Sequence, residues 1–376
     1  MEFDADRLIN DIRKLMLHLI RNEKSSSMEN LSDLYTYIGF LEHLTGSEID
    51  VNRLFLNNKK LDEWLAKYYY ASSNRNIDFV NTNFSDLLTL AKSFSTLINP
   101  ETPIHIYNGR YSILDRSRCF SEKEYKEILY SFFAMYGDNI YKIVKKMFDE
   151  KRIVLYGTIN KESDAYTVFS DYTKGAYINC KLGFDIDGLS IMAHELGHVI
   201  HFYTSGINNS DKKAYTSILG EAISCSFEIA FMDYLMKNYI EPDSALLLLN
   251  NKLSSDANSY GKYIGVSPDE ELVLNIDGEI TASPNHPRLI GKPMMADLKY
   301  TLGYNIALNM LLMHGDNKKE YVSRLRDFMY LMSKQGLKEN IEILGLNYDD
   351  FLSCGTIGPY VKEKNQALIR KVSKKI

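Results

Sequence analysis

Two histidines, His194 and His198, stand four residues apart in the stretch His-Glu-Leu-Gly-His. On a helix, residues at this spacing lie on one face about one turn apart. Two neutral imidazoles placed in this way can bind one Zn²⁺. Glu195 lies between them in sequence and faces the same side, where its carboxylate can act as a general base toward water. The spacing therefore predicts a catalytic zinc site on a helix.

A catalytic zinc site normally has three protein ligands and one open position. Our candidate for the third ligand is Glu221, in the stretch Gly-Glu-Ala-Ile-Ser. Cys225 is a weaker alternative, because Glu221 has the better sequence context. The competing interpretation is an ordinary pair of amphipathic helices, but a buried His, Glu, His cluster would be costly without a partner charge. We therefore expect one Zn²⁺ per chain.

Two predicted helices must hold these ligands. The first spans about residues 188–203, with an apolar stripe at helical spacing and either Asp185 or Asp187 as its N-cap. The second begins near residue 216 and brings Glu221 against the first. A ligating histidine usually donates its other N–H to a fixed acceptor. Three nearby side chains are candidates to orient the ligands: His201, Ser224 and Glu228.

Several segments resemble the oligopeptidase F branch of the thimet oligopeptidase family of zinc metallopeptidases. The segment around the two histidines and the Glu221-Ala-Ile-Ser stretch match the family signature most closely. Further similarities occur at residues 120–124, 148–153, 164–166 and 176–178, and a weaker one occurs at 299–303. The resemblance implies a mainly α, gluzincin-type fold, in which helices flank a deep cleft and a small β-sheet lines one wall. It also implies His194, His198 and Glu221 as metal ligands.

The chain departs from this family near its C-terminus. Family members carry a His and several Tyr there that stabilise the oxyanion, and an ungapped alignment places Ala296 and Leu298 at the tyrosine positions. Tyr300, Tyr304 and His286 are the remaining candidates for this role. We favour Tyr300, because the Lys-Tyr-Thr-Leu-Gly stretch best matches the tyrosine-bearing helix of the family.

Short β-branched and aromatic segments precede the predicted metal helix and indicate a small sheet. An edge strand of such a sheet can pair with an extended peptide backbone. On this basis, and on the resemblance, four residues are substrate-binding candidates: Ala165, Tyr166, Ala176 and Tyr177. Residues 256–293 are rich in Ser, Asn, Gly and Pro, which predicts a long loop near the site.

The bulk properties are typical of a soluble globular protein of one large or two medium domains. We divide the 376 residues into an N-terminal helical subdomain, 1–115, and a catalytic subdomain, 116–376. A net charge of −5 gives no reason to expect nucleic acid or an anionic membrane as partner. Four cysteines without paired spacing indicate reduced thiols, and no signal peptide is apparent. We expect a cytoplasmic protein.

These observations predict a zinc-dependent endopeptidase that hydrolyses short peptides. Two alternatives stay open. The first is a maturation protease dedicated to one leader or signalling peptide, since the N-terminal helical region is short for the family. The second is a zinc-containing peptide-binding protein with weak catalysis, since the oxyanion tyrosines are missing. Glu195 argues against the second, because a binding protein needs no general base.

Overall fold

The computed structural model describes residues 3–21, 28–45, 79, 82–97, 120–155, 165–170, 172–180, 184–205, 217–238, 272–274, 280–282, 292–332 and 335–374. This part of the chain is mainly helical with a small sheet, so the predicted fold class is confirmed. No helix within these ranges is both long and apolar enough to cross a membrane. His286, a candidate for the oxyanion contact, lies outside the described residues.

The helices and strands follow in a simple order. The N-terminal helices are α1 (Ala5–Arg21), α2 (Met28–Thr45) and α3 (Phe84–Leu97). The helical pair α4 (Glu122–Ala134) and α5 (Asp138–Asp149) precedes the strands β1 (Ile153–Leu155), β2 (Tyr166–Ser170) and β3 (Gly175–Cys180). Next come α6 (Ile186–Thr204) and α7 (Ser217–Asn238), followed by β4 (Leu272–Leu274) and β5 (Ile280–Ala282). The last helices are α8 (Lys292–His314), α9 (Lys318–Leu331), α10 (Leu337–Ile343), α11 (Tyr348–Ser353) and α12 (Ile357–Lys374).

A local sequence signal accounts for the start of α4. Ser121 caps α4 with a capping box. Its hydroxyl accepts a hydrogen bond from the Glu124 backbone N–H, and the Glu124 carboxylate accepts one from the Ser121 backbone N–H.

The segment predicted as a loop over residues 256–293 contains two strands, because β4 and β5 pair antiparallel there. The turn-rich composition of this segment does not reveal two three-residue strands, because their hydrogen bonds join residues several positions apart.

The three-stranded sheet has the order β1-β3-β2, with β1 parallel and β2 antiparallel to β3. As the central strand, β3 has both of its edges paired. Among the described residues, β2 therefore keeps one edge that no strand covers. The sheet separates two hydrophobic clusters, because its alternate residues point to opposite faces. One cluster lies under α1 and α2, and the larger one surrounds α6, α7 and α8.

A buried polar network attaches α1 to the sheet. The Tyr177 hydroxyl on β3 donates to Asp11 Oδ2 over 2.7 Å, and the Arg152 guanidinium lies 3.8 Å from the same oxygen. The Tyr37 hydroxyl of α2 donates to the Gly175 carbonyl over 2.7 Å. A side chain at Gly175 would approach Arg152 and Asp11 within 3.0 Å. The absence of a side chain at residue 175 therefore leaves room for the ends of these polar side chains.

Tyr177→Phe is expected to lower the free energy of unfolding by about 1.5–3 kcal/mol, because a buried carboxylate loses a hydrogen bond. Tyr125→Phe is the matched control. Tyr125 is equally buried, but its hydroxyl donates to the neutral Gly188 carbonyl, so a loss of about 0.5–1.5 kcal/mol is expected. Urea unfolding of both variants measures the difference. Equal losses would show that the hydrogen bond from Tyr177 to the Asp11 carboxylate stabilises the fold no more than one to a neutral carbonyl.

Candidate metal centre

The helix α6 carries His194, Glu195 and His198, and it begins close to the predicted position. The Asp185 side chain caps it by accepting from the Gly188 backbone N–H over 2.8 Å, so of the two predicted caps the structure uses Asp185. The helix α7 lies against α6 and carries Glu221 in its second turn. The two helices therefore bring together residues that are more than twenty positions apart.

The predicted ligand atoms converge. Glu221 Oε2 lies 3.3 Å from His194 Nε2 and 3.5 Å from His198 Nε2. All three ligand atoms lie within 4.8 Å of one another. The side chains of His194 and Glu221 are about one-tenth exposed, whereas that of His198 is 21% exposed. The cluster is therefore buried on its α7 side and reaches solvent beside His198.

The two helices approach closely because residue 197 is a glycine. A methyl group at Gly197 would lie 2.6 Å from the Cα atom of Ser224, a backbone atom that cannot move without shifting α7. Gly197 sits between the two histidines in sequence, and Ser224 lies one turn after Glu221. The glycine in the His-Glu-Leu-Gly-His stretch thus sets the distance from the histidines to Glu221.

Gly197→Ala is expected to destabilise the fold by about 1–3 kcal/mol and to weaken metal binding, because the added methyl separates α6 from α7. Gly39→Ala on α2 is the control, since a methyl there has nothing within 4 Å. It should instead stabilise the fold by about 0.5–1 kcal/mol. Thermal melts and zinc titrations of both variants measure these effects. Unchanged zinc affinity in a folded Gly197→Ala protein would contradict the role of this close approach.

Glu228 lies where an orienting group for a ligand histidine was predicted. Its Oε2 is 2.9 Å from His194 Nδ1. The same carboxylate accepts hydrogen bonds from the hydroxyls of Ser190 and Tyr304, each over 3.2 Å. A neutral His194 that donates from Nδ1 presents the lone pair of Nε2 toward Glu221 and His198. This is the tautomer that a metal ligand requires.

The charges of the cluster fit a bound cation. Burial by itself would lower the pKa of His194, but Glu228 and the hydrogen bonds to Cys225 and Glu221 outweigh it and raise the pKa well above its ordinary value. Burial would likewise raise the pKa of Glu221, yet hydrogen bonds with His194 and His198 bring it far below its usual range. The cluster therefore favours added positive charge, as a proton or a metal ion. The donor set of two imidazoles and a carboxylate suits Zn²⁺.

The other residues predicted near the ligands take different places. Cys225 lies close to His194 and Glu228, but burial raises the pKa of its thiol to about 12, so it is a poor ligand at neutral pH. Ser224 donates to the Glu221 carbonyl over 2.9 Å and lies 3.4 Å from Oε2. His201 is buried, and burial, with His198 nearby, lowers its pKa to about 3.

Glu195 is held by a residue that the sequence did not single out. The Thr167 hydroxyl on β2 lies 2.6 Å from Glu195 Oε2 and can donate to it. Glu195 is 5% exposed, and this contact gives its buried carboxylate a hydrogen-bond partner. Thr167 lies next to the predicted Tyr166, on the opposite face of the strand. A strand assignment alone therefore pointed to the right segment but not to the face that contacts α6.

The fold buries some of the candidates for substrate and oxyanion contacts and leaves the others partly exposed. Ala176 and Tyr177 are fully buried on the central strand and are not accessible to a peptide. Tyr166 begins β2, the strand with one edge that no other described strand covers, and Ala165 directly precedes it; both are partly exposed. Tyr300 is partly exposed, with its ring centre 6.2 Å from that of His194. Tyr304 is 5% exposed and donates to Glu228, so its hydroxyl is used within the core.

Comparison with known proteins adds an independent observation. No family model matches the chain. Over 176 residues it is 24% identical to the oligoendopeptidase F homolog of Mycoplasma genitalium, which covers 43% of this chain and 29% of that protein. Over 158 residues it is 27% identical to the chromosomal oligoendopeptidase F of Lactococcus lactis subsp. cremoris, and this alignment covers 42% of this chain and 25% of that protein. Over about two-fifths of its length, this chain is similar to oligoendopeptidase F. The resemblance seen in the motifs is thereby confirmed, although the aligned part is less than a third of each relative's length.

Solved structures agree on the fold. PZ peptidase A, solved with an inhibitor, superposes with a TM-score of 0.52 at 12% identity, covering 93% of this chain and 66% of that one. A proposed oligoendopeptidase F from Bacillus anthracis str. Ames gives a TM-score of 0.51 at 14% identity, and the superposition covers 95% of this chain and 64% of that one. At such low identity this likeness establishes the fold alone.

Proposed function

We propose that this chain is a zinc-dependent endopeptidase that hydrolyses short peptides in the cytoplasm. The observation that carries the proposal is the convergence of His194, His198 and Glu221 beside the general-base candidate Glu195. The oligoendopeptidase F relatives support peptides as the substrate class. His194 Nε2, His198 Nε2 and Glu221 Oε2 would hold the metal. When bound, Zn²⁺ supplies a Lewis acid that acidifies water and polarises a carbonyl.

The protein side chains supply the proton transfers. Glu195 accepts a proton from the attacking water and then passes it to the leaving amine. Thr167 holds one oxygen of this carboxylate, which leaves the other oxygen available for the proton. Glu228 keeps His194 in the ligating tautomer. For the oxyanion we retain Tyr300 as the candidate donor, because the hydroxyl of Tyr304 is directed to Glu228.

We further propose that the peptide pairs with the uncovered edge of β2. In such β-augmentation, main-chain hydrogen bonds hold the substrate with little dependence on its sequence. Tyr166 begins this strand directly after Ala165, and Thr167 connects the strand to Glu195. A peptide paired there would lie beside the strand that holds the general base. The edge therefore offers a way to place the scissile bond near the metal ligands.

A panel of unrelated, internally quenched peptides of different lengths tests the proposal. The zinc-loaded protein is expected to cleave many short peptides, to lose activity with a chelator, and to regain it when zinc is added. Cleavage of a single sequence would favour a dedicated maturation protease instead. Peptide binding without cleavage would favour a zinc-containing binding protein, the alternative that the core position of Tyr304 supports. Full activity in the metal-free protein would overturn the proposal.

A further inference from the structure

Lys299 makes a contact at the candidate metal centre that none of the predicted roles includes. Its Nζ lies 2.7 Å from Glu221 Oε1. The other oxygen of the same carboxylate, Oε2, is the one that faces His194 and His198. The carboxylate of Glu221 is thus divided, with one oxygen toward the imidazoles and the other bound to an ammonium group.

The packing of α8 against α7 holds Lys299 in this place. A side chain at Gly303, one turn after Lys299, would lie 2.8 Å from Cys225 Sγ and 3.4 Å from the carbonyl carbon of Glu221, so α8 approaches α7 closely there. The Lys299 side chain is 26% exposed, and its ammonium lies 4.7 Å from the centre of the Tyr300 ring. The lysine is therefore a fixed partner of Glu221 and not a solvated surface charge.

This arrangement has a consequence for metal coordination. A glutamate ligand can bind a metal through one oxygen or through both. A catalytic zinc site needs three protein donor atoms so that a fourth position stays open for water or substrate. If Glu221 used both oxygens with the two histidines, the protein would supply four donor atoms. A strong charge-assisted hydrogen bond to Oε1 keeps that oxygen out of the coordination sphere.

We propose that Lys299 is a positioning residue that restricts Glu221 to coordination through one oxygen and so keeps the substrate position of the metal open. The inference rests on the proposed function, since it assumes that Glu221 binds the metal. Lys299 acts through its contact with Glu221. Groups in this position typically change metal affinity or activity by about 10–100-fold when they are removed.

Replacement of zinc by Co²⁺ tests the proposal, because the visible absorption of Co²⁺ is intense in four-coordinate sites and weaker at higher coordination numbers. The wild-type protein should show the intense spectrum. Lys299→Met should show a weaker one, with kcat on short peptides lowered about tenfold or more at full zinc occupancy. Lys299→Arg keeps a cationic donor and should restore much of both. Lys318→Met, which removes a partly buried lysine stacked on Tyr136, should resemble wild type.

The outcomes are separable. If Lys299→Met does not fold by circular dichroism, Lys299→Gln serves in its place, because the shorter uncharged side chain also withdraws the ammonium. An unchanged cobalt spectrum with unchanged kcat in a folded variant would overturn the positioning role while leaving the peptidase proposal intact. Failure of wild-type protein to bind either Co²⁺ or Zn²⁺ would overturn the proposed function itself, and with it the role of Lys299.

Discussion

Glu195→Gln is expected to lower kcat for peptide hydrolysis by about 10²–10⁴-fold while zinc content and melting temperature stay close to wild type. The amide has nearly the same shape as the carboxylate, and its oxygen can still accept from the Thr167 hydroxyl. It cannot, however, accept a proton from the attacking water. Steady-state kinetics, zinc analysis and a thermal melt of the purified variant measure the three quantities.

Two further variants calibrate this result. Thr167→Val removes the hydroxyl that holds Glu195 but leaves the carboxylate, so kcat should fall by less than in Glu195→Gln. Glu127→Gln makes the same chemical change on the surface of α4, where the side chain is 62% exposed, and should have no effect. Near wild-type turnover by Glu195→Gln would show that another group accepts the proton, and the proposed mechanism would be wrong.

Loss of the third ligand should have the largest effect on metal binding. The wild-type protein is expected to purify with about one zinc per chain, and Glu221→Ala should lose most of it on dialysis, because two histidines alone form a weak site. A metal that binds only the folded state raises its stability. The rise in melting temperature that zinc produces in wild type should therefore be nearly absent in Glu221→Ala. Zinc analysis and melts with and without added zinc measure both effects.

Glu228→Gln is the matched control, since it alters a buried glutamate on the same helix that contacts His194 without being a predicted ligand. Its zinc affinity should fall only about 10–100-fold. Full zinc retention by Glu221→Ala would instead identify another third ligand. Cys225 and Glu228 are the nearest alternatives, since both lie within ligand distance of His194.

The pairing of the two histidines was predictable because it depends on local spacing. Residues four apart on a helix share a face whatever surrounds them, so His194 and His198 could be paired from sequence alone. Helical periodicity also predicted the bounds of α6 and the start of α7 to within a few residues. The capping residues Ser121 and Asp185 act within one turn, and their effect is also local. Glu221 required the resemblance in addition, because nothing local connects it to α6.

The three-dimensional arrangement was decided by contacts between residues far apart in the chain. Strand propensity marked Tyr177 as part of the sheet, but only the order β1-β3-β2 places it on the central strand, where it is fully buried. Tyr304 and Tyr300 lie on one helix, yet packing directs the hydroxyl of the first to Glu228 and leaves the second partly exposed.

The sequence by itself determined that His194, Glu195 and His198 share one helix, and it indicated the family likeness. Only the tertiary structure decided which groups contact the site residues. The Thr167 hydroxyl contacts Glu195, and the Lys299 ammonium contacts Glu221. Gly197 lies where α6 and α7 approach closely. The physical reason is that helical periodicity is set by hydrogen bonds four residues apart, whereas these contacts depend on how separate elements pack. Such packing joins residues 28 and 78 positions apart, which no local pattern specifies.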